Sequence, residues 1–153
     1  MRKIVLPLLA SLALASPALA NETRVETRGG VIWSNGTSED TWGAAVGYDF
    51  DLAPNTFAGL ELSGDKIGAT GTKVAFGANG RLGVKAGTGT ALYGTGGYST
   101  ETCDTCKGQW NLGAGVEQNI SGPFYVKAEY RHHFKNDVVA SSDTVLGGVG
   151  IKF

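Results

Sequence analysis

The chain has 153 residues, 24 of them glycine, and carries 14 acidic against 13 basic side chains, a formal net charge of −1. That length allows one domain with a core of its own or one small barrel, and the near-neutral balance excludes the electrostatic footprint of a nucleic-acid-binding surface. The glycines follow no three-residue period and form no linker block, which excludes a collagen-like or low-complexity chain.

Arg2 and Lys3 form a positive start, and residues 4–15 form an apolar run broken only by Pro7 and Ser11. Ala18, Leu19 and Ala20 then supply the small-x-small pattern of a signal-peptidase site. The run is shorter than the roughly 20 apolar residues of a spanning helix, so cleavage after Ala20 is expected in place of anchoring. Residues 1–20 are therefore read as a cleaved signal peptide and residues 21–153 as the exported domain. Losing Arg2 and Lys3 leaves 11 basic against 14 acidic residues, a net charge of −3. Glycine or charge interrupts every later apolar stretch, so no second helical span is expected.

From residue 23 onward the period is two, the signature of strands with one apolar face. About eight such segments follow. In the first, residues 23–34, Val25, Val31 and Trp33 share one parity and Arg24, Glu26 and Arg28 the other. The second sets Trp42, Ala44, Val46, Tyr48 and Phe50 against Gly43, Ala45, Gly47 and Asp49. In the third, Ala58, Leu60 and Leu62 oppose Phe57, Gly59, Glu61 and Ser63. The fourth sets Val74, Phe76, Ala78, Leu82 and Val84 against Lys73, Ala75, Asn79, Arg81 and Lys85. The fifth, residues 91–100, reads in either parity: Leu92 and Tyr98 outward with Gly94 and Gly96, or the reverse. In the sixth, Trp110, Leu112, Ala114, Val116 and Ile120 oppose Asn111, Gly113, Gly115, Glu117 and Asn119. The seventh sets Phe124, Val126, Ala128, Tyr130 and Phe134 against Tyr125, Lys127, Glu129, Arg131 and His133. In the last, Val145, Gly147, Val149, Ile151 and Phe153 oppose Thr144, Leu146, Gly148, Gly150 and Lys152.

Glycine weakens an ordinary strand, so its repeated use within these segments points to tight curvature and close backbone approach. Short turns are expected at 51–55, 85–90 and 121–123, and longer polar loops near 35–40, 65–71, 101–108 and 135–142. Trp33, Trp42 and Trp110 fall beside the loops, whereas Phe50, Phe124 and Phe153 fall beside the turns. At ~3.3 Å rise and ~40° tilt, the residues from Trp42 to Phe50 span about 20 Å, close to the apolar band of a membrane barrel. A soluble sandwich or lipocalin-like barrel would use the same alternation with the apolar parity inward.

The whole exported part resembles the small outer-membrane β-barrels that include the opacity-type surface antigens and OmpA-like barrels. The resemblance is carried by Gly80-Arg81-Leu82-Gly83, residues 92–98, residues 112–117, Ala128-Glu129-Tyr130-Arg131 and residues 145–153, which end on an aromatic residue. No peptidoglycan-binding domain is expected after the barrel pattern. The resemblance implies an all-β, eight-stranded antiparallel up-and-down transmembrane barrel in the outer membrane of a Gram-negative bacterium. Its partners would be membrane lipid, the barrel-assembly machinery during insertion, and an unknown partner of the extracellular loops. Phe153 would close the barrel beside the first strand.

Cys103 and Cys106 form a CxxC in the third long loop. The chain is read as exported, and no second CxxC or nearby histidine completes a set of four metal ligands, so a disulfide is expected. His132 and His133 occupy opposite faces of one strand and cannot converge on one metal. Lipid A deacylases resemble small barrels and use a His and a Ser two positions apart; after His132 that position is Phe134. No catalytic residue, metal or cofactor is therefore expected. Glu61, Arg81, Glu117, Lys127, Glu129 and Arg131 form a candidate lumenal charge cluster, read as a paired plug in a barrel too narrow for an open channel. The expected function is structural or surface-interacting, through the extracellular loops. The alternatives are a lipid-modifying outer-membrane enzyme and a soluble periplasmic ligand-binding barrel.

Overall fold

A computed structural model describes residues 21–153; the expected signal peptide, residues 1–20, and its expected cleavage after Ala20 lie outside the described residues. Eight strands follow in chain order: β1 (Asn21–Ser34), β2 (Thr37–Ala53), β3 (Thr56–Ile67), β4 (Val74–Ala86), β5 (Thr90–Ser99), β6 (Gln109–Ser121), β7 (Phe124–His133) and β8 (Ser142–Lys152). Each pairs antiparallel with its neighbours in sequence, and β8 pairs with β1 to close the barrel. Closure runs from the Trp33–Asp143 pair to the Arg24–Lys152 pair. Beyond it, Thr23 and Phe153 exchange both backbone hydrogen bonds, each 2.9 Å. Among the described residues, closure leaves no sheet edge to pair with another chain.

The burial pattern inverts that of a soluble protein. Leu60, Phe76, Leu82, Trp110, Leu112 and Ile120 are all more than half exposed on the outer face, while the inner face buries charge. With no water in a bilayer core to satisfy backbone groups, a closed ladder is one of the two architectures that can cross it. The fifth strand takes the first of its two parities: Leu92 and Tyr98 face out, and Ala91, Tyr93 and Thr95 face in.

Two inward rings explain part of the glycine usage. Tyr93 lies opposite Gly115 and Tyr125 opposite Gly150 across neighbouring strands. A Cβ at Gly115 would meet the Tyr93 ring at 2.5 Å, and one at Gly150 the Tyr125 ring at 2.7 Å. The missing side chains are what let bulky residues lie flat inside a narrow barrel.

The rims differ from expectation where strands run further than alternation suggests: β3 continues to Ile67, so Asp65 is a strand residue and the loop expected at 65–71 begins only at residue 68. The expected loop at 35–40 is a two-residue turn, with Asn35 at φ 50° and Gly36 at φ 81°, and β2 begins already at Thr37. Positive φ at both turn residues is the signature of a type I′ hairpin turn, whose twist matches the strands it joins. The segment from Thr37 to Asp40 carries no apolar residue, so alternation gave no sign that it was strand. Lys73 is a further correction. It precedes β4 and pairs with Asp104 in the loop between β5 and β6, outside the lumen.

Candidate functional site: the charged lumen and the long-loop rim

The inner face of the barrel buries five cations, Arg24, Arg28, Arg81, Lys127 and Arg131, and five anions, Glu26, Asp49, Glu61, Glu117 and Glu129. Period two places them there: they are alternate residues of β1 to β4, β6 and β7, on the parity opposite the lipid-facing side chains. Unpaired, each would be costly to hold away from water. Paired, they form a continuous network along the barrel.

Near the long-loop rim, Arg28 donates through Nε and Nη2 to the two carboxylate oxygens of Asp65, at 2.8 and 2.5 Å. Its Nη1 reaches Glu61 at 2.8 Å. Glu61 is the hub, also receiving Arg24 at 3.1 Å and Arg131 at 3.4 Å, with the Lys127 ammonium 3.5 Å away. Arg24 turns its Nε to Asp49 at 3.0 Å. Toward the short-turn rim, Arg81 donates to Glu117 at 3.1 Å, and Lys152 lies 2.5 Å from the same carboxylate.

Tyrosines close the remaining valences. Tyr93 donates to Glu129 at 2.8 Å and Tyr125 to Glu26 at 2.7 Å. The Arg81 guanidinium also sits 4.0 Å from the Tyr93 ring centroid and 5.1 Å from that of Phe57, a cation–π arrangement. All six charges expected in the cluster, Glu61, Arg81, Glu117, Lys127, Glu129 and Arg131, are thus joined in one network. Arg24, Glu26 and Arg28, which alternation places on the same face, join the expected cluster. Asp49, Asp65 and Tyr93 are members that alternation does not single out: Asp49 stands alone on an otherwise glycine- and alanine-rich face, Asp65 falls in a segment that reads as loop, and Tyr93 lies on the strand of open parity.

At the long-loop rim, Cys103 and Cys106 are joined by a disulfide, with Cα atoms 5.0 Å apart. Asp104 of the same loop pairs with Lys73 of the loop between β3 and β4, and this hydrogen bond raises the Lys73 ammonium above the ordinary lysine value. His132 faces outward. Its Nδ1 is 2.7 Å from Asp143, which also accepts the Tyr130 hydroxyl at 2.5 Å, and its ring meets Phe134 edge-on at 5.0 Å. Among the described residues no serine or threonine hydroxyl is hydrogen-bonded to His132. His133 points into the barrel mouth, so the two histidines diverge. Among the described residues no group of three or more His, Cys, Asp or Glu is placed to hold a metal ion.

Closed, antiparallel, apolar outside and ion-paired inside, the molecule is a transmembrane β-barrel of the bacterial outer-membrane type. The family model for the outer membrane protein beta-barrel domain matches residues 6–153, and the chain belongs to that family. No curated protein matches the sequence significantly. Among solved structures, the N-terminal β-barrel domain of Pseudomonas aeruginosa OprF superposes with a TM-score of 0.64 at 18% identity, covering 86% of this chain and 97% of that one. Ail, the attachment invasion locus protein of Yersinia pestis, gives 0.60 at 15% identity, covering 87% and 97%. The outer membrane enzyme PagL gives 0.65 at 12% identity, covering 84% and 98%. At these identities the likeness establishes the fold and carries no activity across.

Proposed function

We propose that this barrel has a surface-interaction role, carried by the loops between β3 and β4, β5 and β6, and β7 and β8, which face the cell exterior, and that it is not an enzyme. The lumenal network is the observation that carries this reading. Ten buried charges bonded to one another occupy the barrel interior, so the interior is a rigid plug and the solvent-facing loops hold the chemistry available to a partner. The Cys103–Cys106 bridge shapes one of these loops, and the Lys73–Asp104 pair joins it to the loop between β3 and β4.

The experiment compares cells carrying the intact barrel, a barrel whose loops 68–73, 100–108 and 134–141 are replaced by two-residue turns, and no barrel. Adherence to matrix-coated surfaces is scored after confirming equal barrel levels. The loop-trimmed cells should behave like those lacking the protein. Adherence equal to that of the intact barrel would place the role in the barrel wall.

His132 and Asp143 on the lipid-facing side are the feature a lipid-modifying enzyme would use. Phe134 occupies the position where a nucleophilic hydroxyl would be needed, and it packs on the imidazole. Mass analysis of lipid A from cells with and without the gene should give identical profiles. Loss of an acyl chain only when the gene is present would establish the enzyme reading instead.

A further inference from the structure

The loop between β5 and β6 is tied to both of its neighbours. On its first limb, the Thr100 amide donates to the Phe76 carbonyl at 2.8 Å, and the Thr100 hydroxyl accepts from the Phe76 amide at 2.9 Å. Further along, the Lys73 amide donates to the Thr102 carbonyl at 2.7 Å, and the Lys73 ammonium pairs with Asp104. On the second limb, Asn136 of the loop between β7 and β8 donates to the Gly108 carbonyl at 2.9 Å. Gln109 donates to the Phe134 and Ala140 carbonyls at 3.0 and 2.9 Å.

The two limbs are not held equally. Gly108 leads straight into β6, whose ladder fixes it. Thr102 leads into the tip, where the backbone bonds among the described residues are the Lys73–Thr102 contact and the Cys106 amide on the Cys103 carbonyl at 3.2 Å. Asp104 lies between the two cysteines. Its side chain is 84% exposed and that of Lys73 46%, and an ion pair so exposed is worth little by itself. It persists where the backbone beneath it is already fixed, because less entropy is then lost in forming it. The Cys103–Cys106 bridge supplies that fixing.

The bridge is also open to exchange. Both cysteines are only half-buried at a loop tip. The fold lends a bridge as much resistance to reduction as the bridge lends the fold, and a ring closed over two intervening residues stands at the low end of that range.

We propose that Cys103–Cys106 is an exchange site for low-molecular-weight thiols, and that opening it frees Lys73 and the end of the loop between β3 and β4. A thiolate attacks one Sγ, forming a mixed disulfide and releasing the other cysteine, which takes up a proton. A second thiolate attacks the mixed disulfide, and the first cysteine leaves as a thiol. Two external thiols are thereby oxidised to one disulfide while the bridge is reduced to two thiols. This latch concerns how the loops are held, and it stands whether or not they bind a partner.

The test uses the barrel refolded in lipid nanodiscs, with reduced glutathione as the thiol. Alkylation followed by peptide mass reads the bridge, and amide hydrogen exchange by NMR reads the loops. The bridge should open in millimolar glutathione while the heat-dependent gel shift is retained. The Lys73 amide should then exchange roughly fivefold faster, the effect of losing one hydrogen bond. The Gly68 amide, in the same loop but bonded to the Asp40 carbonyl of β2, should keep its rate. A double variant, Cys103→Ser with Cys106→Ser, should show the fast Lys73 rate from the start and no response to glutathione. A bridge that stays closed until the barrel unfolds, a Lys73 rate unchanged on reduction, or a Gly68 rate that rises equally would each overturn the proposal. So would a glutathione response in the double variant.

Discussion

At the scale of single residues, Glu61 holds the lumen together. Arg24, Arg28 and Arg131 bond to its carboxylate and Lys127 lies close by, so Glu61→Gln leaves several buried cations short of charge. Breaking a buried pair by removing one partner typically costs about 3–5 kcal/mol. The expected outcome is a loss of that order in the urea unfolding free energy of the barrel in vesicles. Lys73→Ala, which removes a loop pair outside the lumen, should leave the midpoint where it is. The sequence distinguishes these two lysine and glutamate roles only in part. Parity alone placed Lys73 with the lumenal charges, because nothing in an alternating pattern marks where a strand begins. Parity did place Arg24, Glu26, Arg28 and Glu61 on one face. Which charge would be the hub depends on the stagger between strands, which alternation does not encode.

At the scale of elements, the alternating segments correspond to the eight strands because each carries its own apolar face. The β1–β2 hairpin was legible only in part. Its Asn-Gly pair is a strong hairpin signal, yet the four polar residues after it suggested loop. Gly36 sits at φ 81°, a conformation that disfavours any Cβ. Gly36→Ala is expected to cost about 1–2 kcal/mol, read as a lower denaturant midpoint with the fold retained. The loop between β5 and β6 should behave differently. Cys103 and Cys106 are only three residues apart, so their bridge closes a very small loop and constrains the unfolded chain little. Reduction should leave the barrel's heat-dependent gel shift intact while altering the loop's susceptibility to protease. Disappearance of the shift on reduction would show that the bridge supports the barrel itself.

At the scale of the whole molecule, a sheet closed on itself puts apolar side chains toward lipid and leaves the interior to charged ones. The sequence announces this inversion through glycine in the strands, aromatic residues at both rims and mixed charge on a single parity. It does not reveal the vestibule at the long-loop mouth, which lies between β3 and β4 on one side and β7 and β8 on the other. Below that vestibule, five cations and five anions bond across the lumen between the two rims. A hydrated ion crossing it would have to displace several buried ion pairs at once. Single-channel recording of the refolded protein in a planar bilayer tests this most directly. The expected result is a quiet membrane at moderate voltage and salt. Steady, large unitary currents that scale with protein added would contradict the plugged lumen.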